Sequence, residues 1–270
     1  MAVSIGPAAD GTRWPAPDEV DWLTPEQLVR TAFRASRVVM MNEASSGLRR
    51  CVRTRRIGVR VMPMAAASGA RLLALEAMVQ PGGHQADDGV LAQPDMEALV
   101  AEARRQGLRV AGYDVDPAGM PVKLRTRVKT PAYSNWHDGR QAANLAALFG
   151  EVADDARMLV WSRNLHHARV RMMAYRPMGW RFQERTRVQP FVIDQTVTVD
   201  FGGGRARLPV LEWAQPALEV RGGNAGFVWQ EGMPRLSSGC DAWLLSLDNA
   251  LEGPPPKKKK PAAAWIPWRS

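Results

Sequence analysis

The 270-residue sequence has two cysteines, six lysines and no long apolar run, and each shortage excludes a class of protein. Cys51 and Cys240 are too few to build a disulfide framework, and free thiols are typical of a reducing cytoplasm. Apolar runs such as residues 38–41 fall far short of the about 20 residues that a membrane-spanning helix needs. Residues 1–15 lack the basic start and the apolar stretch of a secretory signal. The sequence therefore predicts a cytoplasmic protein that has no contact with a membrane.

Positive charge is in excess, but most of it is spread along the chain as arginine. The formal net charge is +9, and four of the six lysines stand together at residues 257–260. The densest arginine cluster lies within residues 49–56 and has no aromatic side chains between its members. Surfaces that bind a phosphate backbone combine clustered basic side chains with aromatic ones, so this pattern disfavours nucleic acid as a partner. A basic adaptor that acts through these two segments remains one hypothesis for the function.

Short apolar runs alternate with amphipathic segments over the first 200 residues. Buried strands are predicted at residues 37–41, 71–75, 108–113, 157–161 and 191–193, with helices between them. The first helix is predicted to begin after Thr24, because the sequence Thr-Pro-Glu-Gln combines an N-cap, a proline at the first helical position and a capping-box glutamine. Alternating strands and helices imply crossover connections, which place parallel strands in one sheet. The predicted fold class is α/β, a mostly parallel sheet with helices on both faces.

Composition divides the chain into four parts. Residues 1–23 contain many prolines and glycines and are predicted to form a surface segment, whereas residues 24–200 form the α/β core. Residues 201–252 show weaker periodicity and are predicted to be an irregular C-terminal extension, in which a run of three glycines forms a turn rather than a phosphate loop. Residues 253–270 are rich in proline and lysine, which predicts a disordered tail.

Polar and ionisable side chains follow every predicted strand. The five strand ends carry, in chain order, Glu43; Glu76; Asp114; Asn164 with His166; and Asp194. In an open parallel sheet, ligands bind outside the carboxyl ends of the strands, so these side chains are expected to line one polar cleft. Clustered carboxylates in apolar surroundings either act as bases or require a cation. Each acidic residue could instead cap the helix that follows it, which is a purely structural role.

Two kinds of catalytic site can be compared with known motif spacings. Ser45 and Ser46 lack the G-x-S-x-G context of a nucleophile elbow, which disfavours a serine hydrolase. Glu43, Glu76 and His166 could supply the three ligands of a metal site, although the sequence has no H-E-x-x-H motif. The sequence therefore leaves a divalent metal open.

The four histidines stand in different settings. His84 lies in a glycine-rich loop, and His137 begins a helix, so both are expected to face solvent. His166 and His167 follow a strand at the predicted cleft, so one is expected to face the cleft and the other solvent.

Several of these segments together resemble a known family. Residues 37–47 (RVVMMNEASSG) and 72–76 (LLALE) resemble its first two motifs, in which a buried strand ends at a glutamate. Residues 107–114 (GLRVAGYD) are similar to the third motif, and the segment 144–166 is similar to the fourth. Residues 175–196 match a stretch found in bacterial members. In this order, the segments resemble the erythromycin-esterase-like proteins, relatives of the Tiki and haem-uptake (ChaN-like) superfamily.

The resemblance implies a hydrolase-type cleft in which glutamate and histidine activate water, in some members with a metal. Carried over by position, it implies catalytic roles for Glu43, Glu76 and His166. The other polar residues predicted near this edge are then expected to bind substrate, and they are Ser46, Asp114, Asn164 and Asp194. As a cofactor, a divalent metal or haem is left open.

Two positions depart from the family's pattern. Ser45 and Ser46 stand where the first motif normally has histidine. A serine hydroxyl does not titrate near neutral pH, so it cannot replace imidazole as a general base, and it is a poor ligand for zinc or haem iron. His137 stands where an arginine usually precedes the acidic residue of the fourth motif, which affects substrate anchoring.

The sequence supports two main functional hypotheses. The first is a hydrolase-like protein that activates water in a Glu/His cleft and acts on a small-molecule substrate. The alternative is a catalytically inactive relative that binds a ligand or interacts with another protein. The sequence indicates neither the substrate nor the oligomeric state.

Overall fold

A computed structural model describes residues 14–46, 49–80, 89–127, 130–171, 173–200 and 209–253. The helices are α1 (Pro25–Ala35), α2 (Val52–Ala67), α3 (Pro94–Arg105), α4 (Val122–Arg125), α5 (Pro131–Gly150), α6 (Met178–Thr186) and α7 (Pro209–Glu219). The strands are β1 (Val38–Glu43), β2 (Ser45–Ser46), β3 (Arg49–Arg50), β4 (Ala70–Val79), β5 (Arg109–Asp114), β6 (Arg157–Arg163), β7 (Phe191–Asp194), β8 (Asn224–Val228) and β9 (Ala242–Ser246).

Seven of the strands form one sheet, in the order β5, β4, β6, β1, β7, β9, β8. Neighbouring strands are parallel except β8 and β9, which pair in an antiparallel manner at one edge. The two-residue strands β2 and β3 pair with each other in an antiparallel manner, outside this sheet. The predicted α/β class, with a mostly parallel sheet and helices around it, is confirmed. Among the described helices, none is both long and apolar enough to cross a membrane.

Apolar side chains cover both faces of the sheet. All six residues of β1 are buried, and successive side chains of a strand point to opposite faces. Val38 and Met40 pack in a core with residues of α5, α6 and α7, whereas Val39 and Met41 pack in a second core with residues of α1, α2 and α3. The sheet face that carries Val38 and Met40 is called the α5 face below, and the face that carries Val39 and Met41 is called the α2 face.

Local sequence explains how two of the helices are placed. At the start of α1, Thr24 Oγ1 accepts the N–H of Gln27, and the Gln27 side chain accepts the N–H of Thr24. This reciprocal pair confirms the predicted capping box. In α2, a Cβ on Gly58 would come within 2.7 Å of both Leu99 Cδ1 and Trp161 Cη2. The glycine therefore allows α2 to lie close against α3 and β6.

Both ends of the described chain pack against the core domain. The predicted C-terminal extension supplies α7, β8 and β9, and β9 pairs directly with β7. Near the other end, Trp22 is buried, and the main chain of Leu23 pairs with Gly226 of β8. The predicted glycine turn, the loop that contains His84 and the lysine-rich tail lie outside the described residues.

Candidate functional site

The carboxyl ends of β1, β4, β5, β6 and β7 lie along one edge of the sheet, because these strands are parallel. At this edge, Glu43 is the register partner of Arg163, whose main-chain N–H donates to Glu76 Oε2 at 2.7 Å. The end of β6 therefore lies between the two glutamates. Their side chains have different neighbours, since Glu43 contacts residues of the α2 face and Glu76 contacts residues of the α5 face.

On the α5 face, Asp138 and His166 form a fixed pair. His166 Nδ1 lies 3.0 Å from Asp138 Oδ1, and Asp138 is fully buried. The second carboxylate oxygen, Oδ2, accepts the Tyr175 hydroxyl at 2.5 Å and the main-chain N–H of Met178 at 3.0 Å. The His166 side chain is 28% exposed, so solvent reaches the imidazole although its partner is enclosed.

A second histidine–carboxylate pair adjoins the first. His137 Nε2 lies 3.1 Å from Asp114 Oδ1, which also accepts the side-chain amide of Gln141 at 2.8 Å. The other ring nitrogen of His137, Nδ1, lies 3.7 Å from Asp138 Oδ1. The rings of His137 and His166 are 6.1 Å apart and nearly perpendicular. Both imidazoles therefore turn a nitrogen towards the same carboxylate oxygen.

Glu76 and Tyr113 connect this group to the sheet. The Tyr113 hydroxyl lies 3.4 Å from Glu76 Oε2 and 3.3 Å from the carbonyl oxygen of Trp161. Both side chains are buried, and burial together with the charge of Glu76 holds the pKa of Tyr113 well above its ordinary value. The phenol therefore stays protonated and donates. Glu76 thus brings a third carboxyl group to the α5 face, beside those of Asp114 and Asp138.

The carboxylates set the protonation of the two histidines. Burial lowers the pKa of His137, but its hydrogen bonds to Asp114 and Asp138 outweigh this and raise the pKa to about 10. Burial likewise lowers the pKa of His166, and the charges of Asp138 and Glu76 outweigh it and raise the pKa to about 9. Burial raises the pKa of Asp138, but the two histidines and Tyr175 outweigh this effect and hold the pKa below its usual range. The cluster therefore contains facing positive and negative charges at neutral pH.

Glu43 lies in a different environment, on the α2 face. Its two oxygens accept Nε and Nη2 of Arg55 at 2.6 and 2.7 Å, and Oε2 also accepts the indole N–H of Trp161 at 3.0 Å. Arg55 Nη1 bonds in turn to Asp95, which Arg50 contacts at 2.7 Å. Glu43 is therefore part of a buried ion-pair network that fastens β1 to α2 and α3. The predicted ligand set of Glu43, Glu76 and His166 is not brought together.

Asn164 and Asp194, which were predicted to bind substrate, hold loops at the sheet edge. The Asn42 side-chain amide donates to the carbonyl oxygen of Asn164 at 2.6 Å and to Asp194 Oδ1 at 2.8 Å. Asp194 Oδ1 also accepts the Thr196 hydroxyl, and Asn164 Oδ1 accepts the N–H of Ser45. These bonds tie Asn164 and Asp194 to β1 and to the loops that follow β1 and β7.

Of the predicted site residues, the structure brings Glu76, Asp114 and His166 together on the α5 face. Glu43 lies on the other face, and the side chain of Ser46 lies outside the described part of the molecule. Two expectations about histidines are corrected. His137 is not a solvated helix-start residue, since its side chain is only 17% exposed and bonds to Asp114. His167 does not face solvent: it is fully buried with Nε2 3.2 Å from the Ile193 carbonyl oxygen, and burial lowers its pKa to about 4.

Sequence reasoning missed the roles of His137, Asp138 and Tyr175. One signal could have indicated the first two: on the predicted helix, Asp138 and Gln141 are three residues apart and lie on the face that carries the buried Ala142 and Leu145. A charged residue on a buried helix face needs a partner, which directs attention to His137 and to the strand ends. Tyr175 begins the stretch that resembles bacterial members of the family named above, but that resemblance assigns it no role.

No protein-family model matches the sequence, and the search of curated proteins found no match. Among solved structures, the type III effector HopBA1 is similar over 87% of this chain and 99% of its own, with 13% identity and a TM-score of 0.50. This likeness concerns the fold alone. RRSP, a MARTX toxin effector domain from Vibrio vulnificus CMCP6, matches 64% of this chain and 35% of its own, with 13% identity and a TM-score of 0.42. The C-terminal region of Pasteurella multocida toxin matches 53% of this chain and 21% of its own, with 10% identity and a TM-score of 0.38. The last two scores are too low to bear on the site.

Proposed function

We propose that this protein is a hydrolase whose reaction centre consists of Glu76, His137, Asp138 and His166. The observation that carries the proposal is the Asp138–His166 pair. Its carboxylate is fully buried and held by Tyr175 and a main-chain N–H, whereas its imidazole is partly exposed at the carboxyl edge of a parallel sheet. Ligands of open α/β sheets bind at this edge.

Hydrolysis of a carbonyl compound needs one group that accepts a proton from water and one that donates a proton to the leaving atom. Glu76 fits the first role, because its carboxylate bonds to the chain three residues before His166. His166 fits the second role. The water oxygen bonds to the carbonyl carbon and its proton passes to Glu76, while the bond to the leaving atom breaks and that atom takes the imidazole proton. Asp138 keeps the ring oriented and stabilises its charge.

The side chains around His137 favour a substrate with an apolar part. The Tyr133 ring stacks on the His137 ring at 5.7 Å, and the Trp136 ring lies 6.3 Å from it. An ester or amide whose reacting carbonyl lies at His166 could place its apolar part against these rings. Ester hydrolysis is also what the resemblance to the erythromycin-esterase-like proteins implies, and membership in that superfamily is part of the proposal.

Turnover of chromogenic esters and amides by the full-length protein tests the proposal. His166→Asn is expected to lower turnover by about 100- to 10,000-fold, because general acid–base groups contribute on this order. Glu151→Gln is the matched control, since the Glu151 carboxylate is exposed at the far end of α5 and pairs with Arg109, and the turnover of this variant should equal that of the wild type. Equal turnover in His166→Asn and the wild type would contradict the proposed centre.

A catalytically inactive binding or interaction protein is the second candidate. Two observations favour it: Arg55 occupies both oxygens of Glu43, and Ser45 replaces the first-motif histidine and bonds through its N–H to Asn164. The likeness in fold to a type III effector makes a protein partner a fitting target for this candidate. A compound that raises the melting temperature of the wild type but not of Asp138→Asn, without being hydrolysed, would replace the hydrolase proposal with this one.

A further inference from the structure

We propose that His137, Asp138 and His166 bind one divalent transition-metal ion. The inference goes beyond the proposed function: an ion bound here takes the place of the protons that the two imidazoles carry at neutral pH, so in the metal-bound protein His166 is a ligand and not the proton donor. Among the described residues, this is the group of three metal-ligating side chains whose ligand atoms all lie within 4.8 Å of one another. It differs from the ligand set predicted from the sequence, of which it keeps only His166.

The distances within the cluster suit a single ion. His166 Nδ1 lies 3.0 Å and His137 Nδ1 lies 3.7 Å from the same oxygen, Oδ1 of Asp138. Zinc binds histidine nitrogen and carboxylate oxygen at about 2.1 Å, so neighbouring ligands of a tetrahedral site are about 3.4 Å apart. These two separations lie on either side of this value, and the third, between the two imidazole nitrogens, is at most 4.8 Å. Small rotations of two side chains would therefore complete the site.

The partners of the ligands support the same conclusion. Metal-binding histidines usually give their second ring nitrogen to a carboxylate, which fixes the ring and its tautomer. Asp114 provides this contact, 3.1 Å from His137 Nε2, and is itself held by Gln141. Tyr175 and the Met178 N–H occupy Asp138 Oδ2, which leaves Oδ1 directed at the two imidazoles. Asp114 therefore orients His137, and the Tyr175 hydroxyl orients Asp138, as outer contacts do at metal sites.

The ligand types indicate the class of ion. Two imidazoles and one carboxylate suit zinc, cobalt or iron(II) rather than magnesium or calcium, which prefer oxygen ligands alone. Three protein ligands leave a position for water or substrate, as in catalytic rather than structural zinc sites. The side chains of His166 and His137 are 28% and 17% exposed, so both imidazoles border solvent.

Calorimetric titration of the metal-free, full-length protein with Zn²⁺, and visible absorption with Co²⁺, tests the site. We expect one ion per chain and a tetrahedral or five-coordinate cobalt spectrum. His137→Gln and His166→Asn should each weaken Zn²⁺ binding by more than about 100-fold, and Asp114→Asn, which removes an outer contact, by about 10- to 100-fold. Glu151→Gln should bind as the wild type does. Equal affinity in the wild type and both histidine variants would overturn the proposal, as would the absence of binding to the wild type.

An NMR titration of the wild type tests the same site without a variant that could fail to fold. The chain has four histidines, so their ring signals in a heteronuclear NMR spectrum can be assigned individually. Zn²⁺ should shift the signals of His137 and His166 and leave that of the buried His167 in place. A spectrum in which neither His137 nor His166 responds would overturn the proposal. Zn²⁺ binding without hydrolysis would defeat only the hydrolase proposal, whereas hydrolysis that depends on His166 without Zn²⁺ binding would defeat only the metal site.

Discussion

The two faces of one sheet edge carry buried carboxylates with opposite consequences. On the α2 face, arginine guanidiniums compensate Glu43 and Asp95, and on the α5 face histidines compensate Asp114 and Asp138. A guanidinium keeps its proton at any physiological pH, whereas an imidazole can release its proton or exchange it for a metal ion. A buried carboxylate at a strand end is therefore not by itself a sign of chemistry. The partner decides whether it fastens the fold or can take part in a reaction.

The largest expected difference between the faces concerns turnover. Glu76→Gln should lower turnover on an ester substrate by about 100-fold or more, because it removes the proposed proton acceptor. Glu43→Gln should lower it far less, since Glu43 contacts Arg55 and Trp161 rather than the histidines. Initial rates of both variants, corrected for the folded fraction by circular dichroism, make the comparison. Equal losses in the two variants would show that the faces do not differ in this way.

Arg55→Met should produce the reverse pattern. It leaves the Glu43 carboxylate buried without its guanidinium, and breaking such a pair by removing one partner costs about 3–5 kcal/mol. We expect the free energy of unfolding, measured by urea denaturation, to fall by this amount. The double variant Glu43→Gln/Arg55→Met should recover part of it, because no unpaired glutamate charge remains. A single variant as stable as the wild type would show that the network does not fasten this face.

Tyr175→Phe should affect the α5 face moderately. The phenol donates to the buried Asp138 carboxylate, and hydrogen bonds to charged groups contribute about 1.5–3 kcal/mol. The melting temperature should fall, and so should the affinity for Zn²⁺, because Asp138 Oδ2 loses one of its anchors. Tyr133→Phe is the matched control, since it retains the ring that stacks on His137. If both variants melt at the same temperature, Tyr175 does not hold Asp138.

The smallest expected effect is the acid sensitivity of the α2 face. Burial raises the pKa of Asp95, but Arg50 and Arg55 outweigh it and lower the pKa below its ordinary value. A carboxyl group with a lowered folded-state pKa adds stability above its unfolded-state pKa, and this stability is lost as the pH falls through the folded-state value. Between neutral pH and about pH 3, the free energy of unfolding should therefore fall more steeply for the wild type than for Asp95→Asn. Parallel curves would contradict the assignment.

The fold could be predicted largely because its signals are local. Short apolar strands, the Thr24 capping box and the regular alternation of elements indicate a parallel sheet without knowledge of strand order. Strand order determines which strand-end side chains lie near one another on the same face of the sheet. β1 and β4 are separated by β6, and β6 lies more than 80 residues after β4 begins, so no local pattern places Glu43 and Glu76 on opposite faces.

The site could be predicted only in part, for the same reason. Glu76, Asp114 and His166 meet because parallel strands end at one edge, which the sequence indicates. Asp138 and Tyr175 reach the cluster from a helix and from a loop, and their contacts depend on how α5 packs on the sheet. Packing of this kind follows from tertiary structure and leaves no spacing rule in the sequence.

One residue, Trp161, has contacts on both faces. The Trp161 indole donates to Glu43 Oε2 and its ring packs against Gly58, while its carbonyl oxygen accepts the Tyr113 hydroxyl that also lies beside Glu76. Trp161 therefore has a direct contact with Glu43 and an indirect one, through Tyr113, with Glu76. Because the chain has ten tryptophans, the fluorescence change that a ligand causes in the wild type but not in Trp161→Phe is the part that reports on this residue.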